Sequence, residues 1–156
     1  MPDYKVSIGN AEVISLTDGK GRAAATDVFP NVPASEWDRY PGARGADGKL
    51  DVNFGSFVVR SQGVTILVDT GIGTAASNPG TIEGLLGGSV EGNLVSELKS
   101  AGIQPNDIDM VFLTHLHPDH VGWNLGAGGA NPIATFSNAR YVAHRADWDA
   151  FSSPKD

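Results

Sequence analysis

Three of the four histidines in this chain fall within six residues: His115, His117 and His120, in the stretch THLHPDH at 114–120, with Asp119 among them. Imidazole nitrogen and carboxylate oxygen are good ligands for zinc, and also for iron and manganese. The spacing sorts the donors. On extended backbone, residues two apart point to the same side, so His115 and His117 share a direction. Pro118 stops the strand. Asp119 and His120 then open the next turn and point elsewhere, so one strand end can offer two ligands to one point and two more to its neighbour. Ions held this way lower the pKa of bound water to ~7, and two of them ~3.5–4 Å apart can share a hydroxide while polarising a substrate oxygen. Packing alone gives no reason to crowd polar groups here, because they cost desolvation unless bound or paired.

The elements that must position the cluster can be read outward from it. Residues 108–114 (IDMVFLT) run into it and are apolar on both faces, as a buried central strand is. Residues 52–60 (VNFGSFVVR) and 64–69 (VTILVD) predict two strands joined at Ser61-Gln62-Gly63. Residues 4–8 and 12–16 alternate apolar and polar and predict a strand pair with its turn at Gly9-Asn10. The stretch from Asp18 through Gly48 reads as irregular, with a helical turn at 35–40. Its Phe29, Trp37 and Tyr40 read as local packing in preference to a substrate-facing lid, and the carboxylates of 12–51 as solvated. Residues 70–90 are loop-like, broken at Asn78-Pro79-Gly80. Residues 91–101 predict a helix with Leu94, Val95, Leu98 and Ala101 on one face and Gly102 as its C-cap. A glycine-rich turn at 126–130, a short strand at 140–144 and a short helix at 145–151 follow. The order, β-rich and then β–α–β, predicts one α/β (α+β) domain over 1–156, a mixed sheet covered by helices.

Composition narrows the function. The 156 residues suit one compact domain, and no apolar run reaches the ~20 residues of a membrane-spanning helix. The N-terminus MPDYKVSIGN is no secretory signal, so a cytoplasmic protein is expected, or a mature product whose signal was removed. The absence of cysteine excludes disulfides, thiolate zinc sites and a cysteine nucleophile. A net charge of −7 with scattered basic residues argues against nucleic acid and anionic membrane as partners and leaves a small-molecule substrate. Gly71-Ile72-Gly73-Thr74-Ala75-Ala76 fits a dinucleotide fingerprint, but Ser77-Asn78-Pro79-Gly80 breaks the helix this would need. No serine-nucleophile elbow is present: Gly55-Ser56 runs into Phe57-Val58, and Gly88-Ser89 into Val90-Glu91.

His115-Leu116-His117-Pro118-Asp119-His120 resembles the H-x-H-x-D-H signature of the metallo-β-lactamase-fold superfamily. Residues 107–114 before it and Val121-Gly122-Trp123-Asn124 after it look like the lactonase-like metallo-hydrolases of that superfamily. Ile66-Leu67-Val68-Asp69-Thr70-Gly71 resembles the family's strand ending in an aspartate, and RYVAHRADWDAF at 140–151 its later strand and helix. The resemblance implies an αββα sandwich. It implies His115 and His117 on a first metal and Asp119 and His120 on a second, with Asp119 also moving a proton and Asp69 orienting a ligand imidazole. It further implies two zinc ions, with iron or manganese as alternatives, and a bridging hydroxide that attacks a lactone or other ester.

The family's site is completed by a later Gly-His motif, a bridging aspartate and a last histidine, none of which has a counterpart here. The remaining histidine, His144, falls in a strand that resembles a non-ligand strand. The expectation is therefore the N-terminal βα half of the sandwich, with one sheet face exposed and open to self-association. Two other functions stay in play: a one-metal iron dioxygenase on the same fold, and a metal-binding fragment without complete catalytic equipment.

Overall fold

A computed structural model describes residues 4–74, 91–126 and 132–153. Its strands are β1 (Tyr4–Ile8), β2 (Ala11–Ala24), β3 (Lys49–Ser61), β4 (Val64–Val68), β5 (Met110–Leu113) and β6 (Arg140–Ala143). They form one six-stranded sheet in sequence order. From β1 to β4 neighbours are antiparallel, and β4, β5 and β6 run parallel. Tight hairpins join β1 to β2 and β3 to β4, with Gly9 and Gly63 at positive φ in the turns, while residues 25–48 connect β2 to β3. Parallel neighbours need crossovers. Helix α2 (Leu94–Ser100) lies between β4 and β5, and α3 (Pro118–Val121) between β5 and β6. A short α1 (Ala25–Val28) follows β2, and α4 (Arg145–Ser152) follows β6.

Strand alternation puts Ile14, Leu16, Val58, Leu67, Val111 and Leu113 on one face, where they pack with Leu94 and Leu98 of α2 and with Ile103, Ile108 and Phe136. The end of α2 fixes the return to β5. Gly102, at φ 73, lets its N–H reach Lys99 O and the Ile103 N–H reach Leu98 O. This paired closure satisfies the last carbonyls while Ile103 drops into the core beside Leu98.

The opposite face is open among the described residues. Phe57, Val68, Phe112 and Val142 stand in register across four strands, and Phe57 and Phe112 are 46% and 44% exposed. The exposed sheet face expected from the sequence is therefore present. The reading of residues 108–114 as buried on both faces is corrected: Ile108, Val111 and Leu113 are buried in the core, while Phe112 on the other face of β5 is exposed.

The larger correction concerns residues 18–48. β2 continues to Ala24 and pairs with β3 down to Ala24↔Lys49. Its register shifts between Thr17 and Gly19, so Asp18 occupies a β-bulge. The bulge inverts the alternation: even positions (Ile14, Leu16, Asp18) are the buried ones up to it, and after it Gly21 and Ala23 are less exposed than Lys20 and Arg22. That change of parity hid the strand's second half. The remainder holds two 3-10 turns, Ala34–Arg39 and Pro41–Ala43. There Phe29 and Trp37 pack with ring centroids 5.4 Å apart, which is the local packing expected. Most of the loop read at 70–90, and most of the glycine-rich turn at 126–130, lie outside the described residues.

Two measurements check this packing. Leu67 is fully buried in central strand β4, so Leu67→Ala is expected to lower the unfolding free energy by about 2–5 kcal/mol in a urea titration. A Cβ on Gly122 would stand 2.1 Å from the Ile72 carbonyl carbon. Because both sides of that contact are backbone, Gly122→Ala is expected to cost about 3 kcal/mol on the same curve.

Candidate metal centre

β5 ends at Leu113 and the chain turns off the sheet. His117 is the N-cap of α3 in extended conformation, with Pro118 in the first turn, where its fixed φ suits a helix start. One turn of helix brings His120 back beneath the strand end. The rings of His115 and His120 lie 3.8 Å apart between centroids, and those of His115 and His117 4.7 Å apart, edge to face. The three imidazoles therefore gather in one place, with His120 nearer to His115 than His117 is. Phe151 of α4 meets His117 edge-on at 5.8 Å. A cleft of about 290 Å³ lined by Asn53, Phe54, Gly55 and Phe57 opens on Asp119 and His120.

Asp69 organises the cluster from behind. It is 6% exposed and has a positive φ of 58°, unusual for a residue with a side chain. Its Oδ1 accepts from Thr114 N at 2.8 Å, and its Oδ2 from Thr114 Oγ1 and His120 Nδ1, each at 2.8 Å. A carboxylate only accepts, so His120 carries its proton on Nδ1 and presents Nε2 outward. Asp69 thus both sits in a turn and orients an imidazole. The following residues are laced to the motif: Thr70 N donates to His120 O, Trp123 N to Thr70 O and Gly122 N to Gly71 O, at 2.8–3.0 Å. Thr70 Oγ1 donates to Asn124 Oδ1 at 2.9 Å.

His120 Nε2 faces Asp119 Oδ2 at 3.3 Å. A lone-pair nitrogen opposite a carboxylate oxygen is satisfied only by a positive centre between them, either a proton or a metal ion. The donor chemistry therefore fits a divalent cation, with Asp119, His115 and His117 at hand. Among the described residues no three such side chains enclose a single ion-sized point, and the imidazoles rest against one another. His144 is engaged elsewhere. It is the N-cap of α4, where its Nδ1 accepts from Ala146 N at 3.2 Å.

The sequence reading missed Asp18, which it had counted among solvated carboxylates. Asp18 is 1% exposed and accepts five hydrogen bonds. Oδ1 takes Asn93 N, Leu94 N and Trp123 Nε1 at 2.6, 2.6 and 2.9 Å, and Oδ2 takes Ile72 N and Gly73 N at 2.6 and 3.3 Å. Burial pushes its carboxyl above the usual range, against the pull of Trp123 and the backbone donors. The signal available was alternation: Ile14 and Leu16 face inward, and Asp18 is next on that face.

Comparison with known proteins places the chain in a family. Residues 56–155 match the family model of the metallo-beta-lactamase superfamily. An N-acyl homoserine lactonase, AiiB, of Agrobacterium fabrum is 29% identical over 102 residues, which is 61% of this chain and 34% of that protein. An N-acyl homoserine lactonase of a Bacillus species is 31% identical over 112 residues, 65% of this chain and 40% of the relative. Among solved structures, AidC, a dizinc quorum-quenching lactonase, superposes with a TM-score of 0.77 at 25% identity, covering 97% of this chain and 48% of its own. The chain thus spans about half the length of that structure and less of the curated relatives. With a match over residues 56–155, the chain belongs to the metallo-beta-lactamase superfamily.

Proposed function

We propose that this chain carries the H-x-H-x-D-H half of a metal-dependent lactone hydrolase. The observation that carries the reading is the gathering of His115, His117 and His120 beside Asp119, with His120 held on Asp69 so that Nε2 faces outward. His115 and His117 are the donors for a first ion, and Asp119 and His120 for a second, with zinc as the expected metal. Ions bound there would supply Lewis acidity and an activated water at neutral pH. The protein's own part is to fix the donors and to move a proton. Asp119 borders the cleft, partly exposed, and in this reading would take the proton from the attacking water and return it to the ring oxygen as the lactone opens. Phe54 and Phe57 give that cleft apolar walls for an acyl substituent. The lactonase relatives support the ester class, and the dizinc neighbour supports two ions.

The exposed row of Phe57, Val68, Phe112 and Val142 belongs to the same proposal as a surface for self-association. No helix among the described residues is long and apolar enough to cross a membrane.

Two experiments test the reading. His117→Ala and Asp119→Asn are each expected to lose metal by elemental analysis and to lose at least about 100-fold in lactone hydrolysis. Unchanged loading in both variants contradicts the ligand assignment, and one iron per wild-type chain overturns the binuclear one. Asp69→Asn, which opposes an amide N–H to donors, is expected to weaken zinc binding about 10–100-fold in a competition titration while all proposed ligands remain.

A further inference from the structure

Resting on the metal-centre reading, we infer that Asp18 is a positioning residue for His120. It would act by clamping the turn that follows β4. The five donors on its carboxylate come from three separate segments: Ile72 and Gly73 after β4, Asn93 and Leu94 at the start of α2, and Trp123 just past the histidine motif. Nothing else in the described residues joins these three segments through one side chain.

The fold is shaped around this carboxylate. Strand alternation carries Asp18 inward after Ile14 and Leu16, and the β-bulge between Thr17 and Gly19 reverses the parity of the strand beyond it. Glycines admit the backbone to it: a Cβ on Gly71 would lie 2.1 Å from Asp18 Oδ2, and one on Gly92 would lie 2.7 Å from both carboxylate oxygens. The segment so held is the one that carries Asp69 at positive φ. Such a conformation persists only where the surroundings over-determine it. Asp69 is bound on its strand side by its N–H to Phe112 O. On the other side, the grip of Asp18 on Ile72 and Gly73 fixes the path of residues 70–73. Trp123 ties the same carboxylate to the tail of the motif. The line of force runs from Asp18 through Ile72–Gly73 to Asp69, and from Asp69 Oδ2 to His120 Nδ1.

Every partner of Asp18 is a donor, which makes the amide the informative replacement. Asn keeps the volume but opposes an N–H₂ to two or three N–H groups. With the hydrogen-bonded Nδ1 proton of His120 to be followed by NMR in wild type and variant, its signal is expected to broaden or vanish in Asp18→Asn. Cobalt affinity, read from its visible absorption, is expected to fall about tenfold. Leu67→Ala controls for destabilisation alone and should keep the His120 signal. A role as general glue predicts a lower melting temperature for Asp18→Asn with that signal intact and cobalt affinity within about twofold of wild type; this result overturns the inference, as does loss of the signal in Leu67→Ala. Should Asp18→Asn not fold, Trp123→Phe removes one donor and keeps the carboxylate. A shifted His120 resonance there supports the clamp, and an unshifted one overturns it. A wild type that takes up no cobalt refutes the metal centre, while the ring resonances still decide the role of Asp18.

Discussion

A single buried carboxylate, Asp69, ties the ends of two parallel strands to the histidine motif. It stands just past β4, accepts two hydrogen bonds from Thr114 just past β5, and accepts a third from His120 Nδ1 one helical turn later. β4 and β5 can lie side by side without this contact, since their pairing comes from the backbone. The contact sets where the strand ends stop and which way the imidazole faces. An imidazole free to rotate offers either nitrogen to a cation. One held by a carboxylate offers a single nitrogen in a single direction, and the difference is measured in affinity.

Support for Asp69 is layered. Its unusual backbone conformation is flanked by residues 70–73, which are laced to the motif on one side and held by Asp18 on the other. The core below supplies the rigid base. Leu67, Val111 and Leu113 on the sheet, with Leu94 and Leu98 of α2, bury one face of β4 and β5 completely. The opposite face, with its row of apolar side chains, carries no layer among the described residues.

Much of the site could be read without coordinates. Three imidazoles and an aspartate in six residues have few explanations besides a cation, and Pro118 marked the turn that folds His120 back. The strand from 64 to 68 and the strand into the motif follow from their short apolar runs, and the helix before Gly102 from the apolar face at 94, 95, 98 and 101 and the glycine at its end. Residues 18–24 were misread because a bulge inverted the alternation on which strand recognition depends. Asp18 was lost with them. A charged residue at the end of an apolar alternation reads as a strand stop, unless its five distant partners are known.

By itself, the sequence determined the donors: their types, their order along the chain and the proline between them. It also determined which strand faces are apolar, because side-chain direction in a strand depends only on local backbone geometry. Tertiary structure decided the rest. It chose His120 as the imidazole that meets Asp69, gave His144 to a helix cap, and buried Asp18 beneath three segments that lie up to 105 residues from it along the chain. Those are pairings across loops, and residue spacing carries no record of which distant groups a closed loop will bring together.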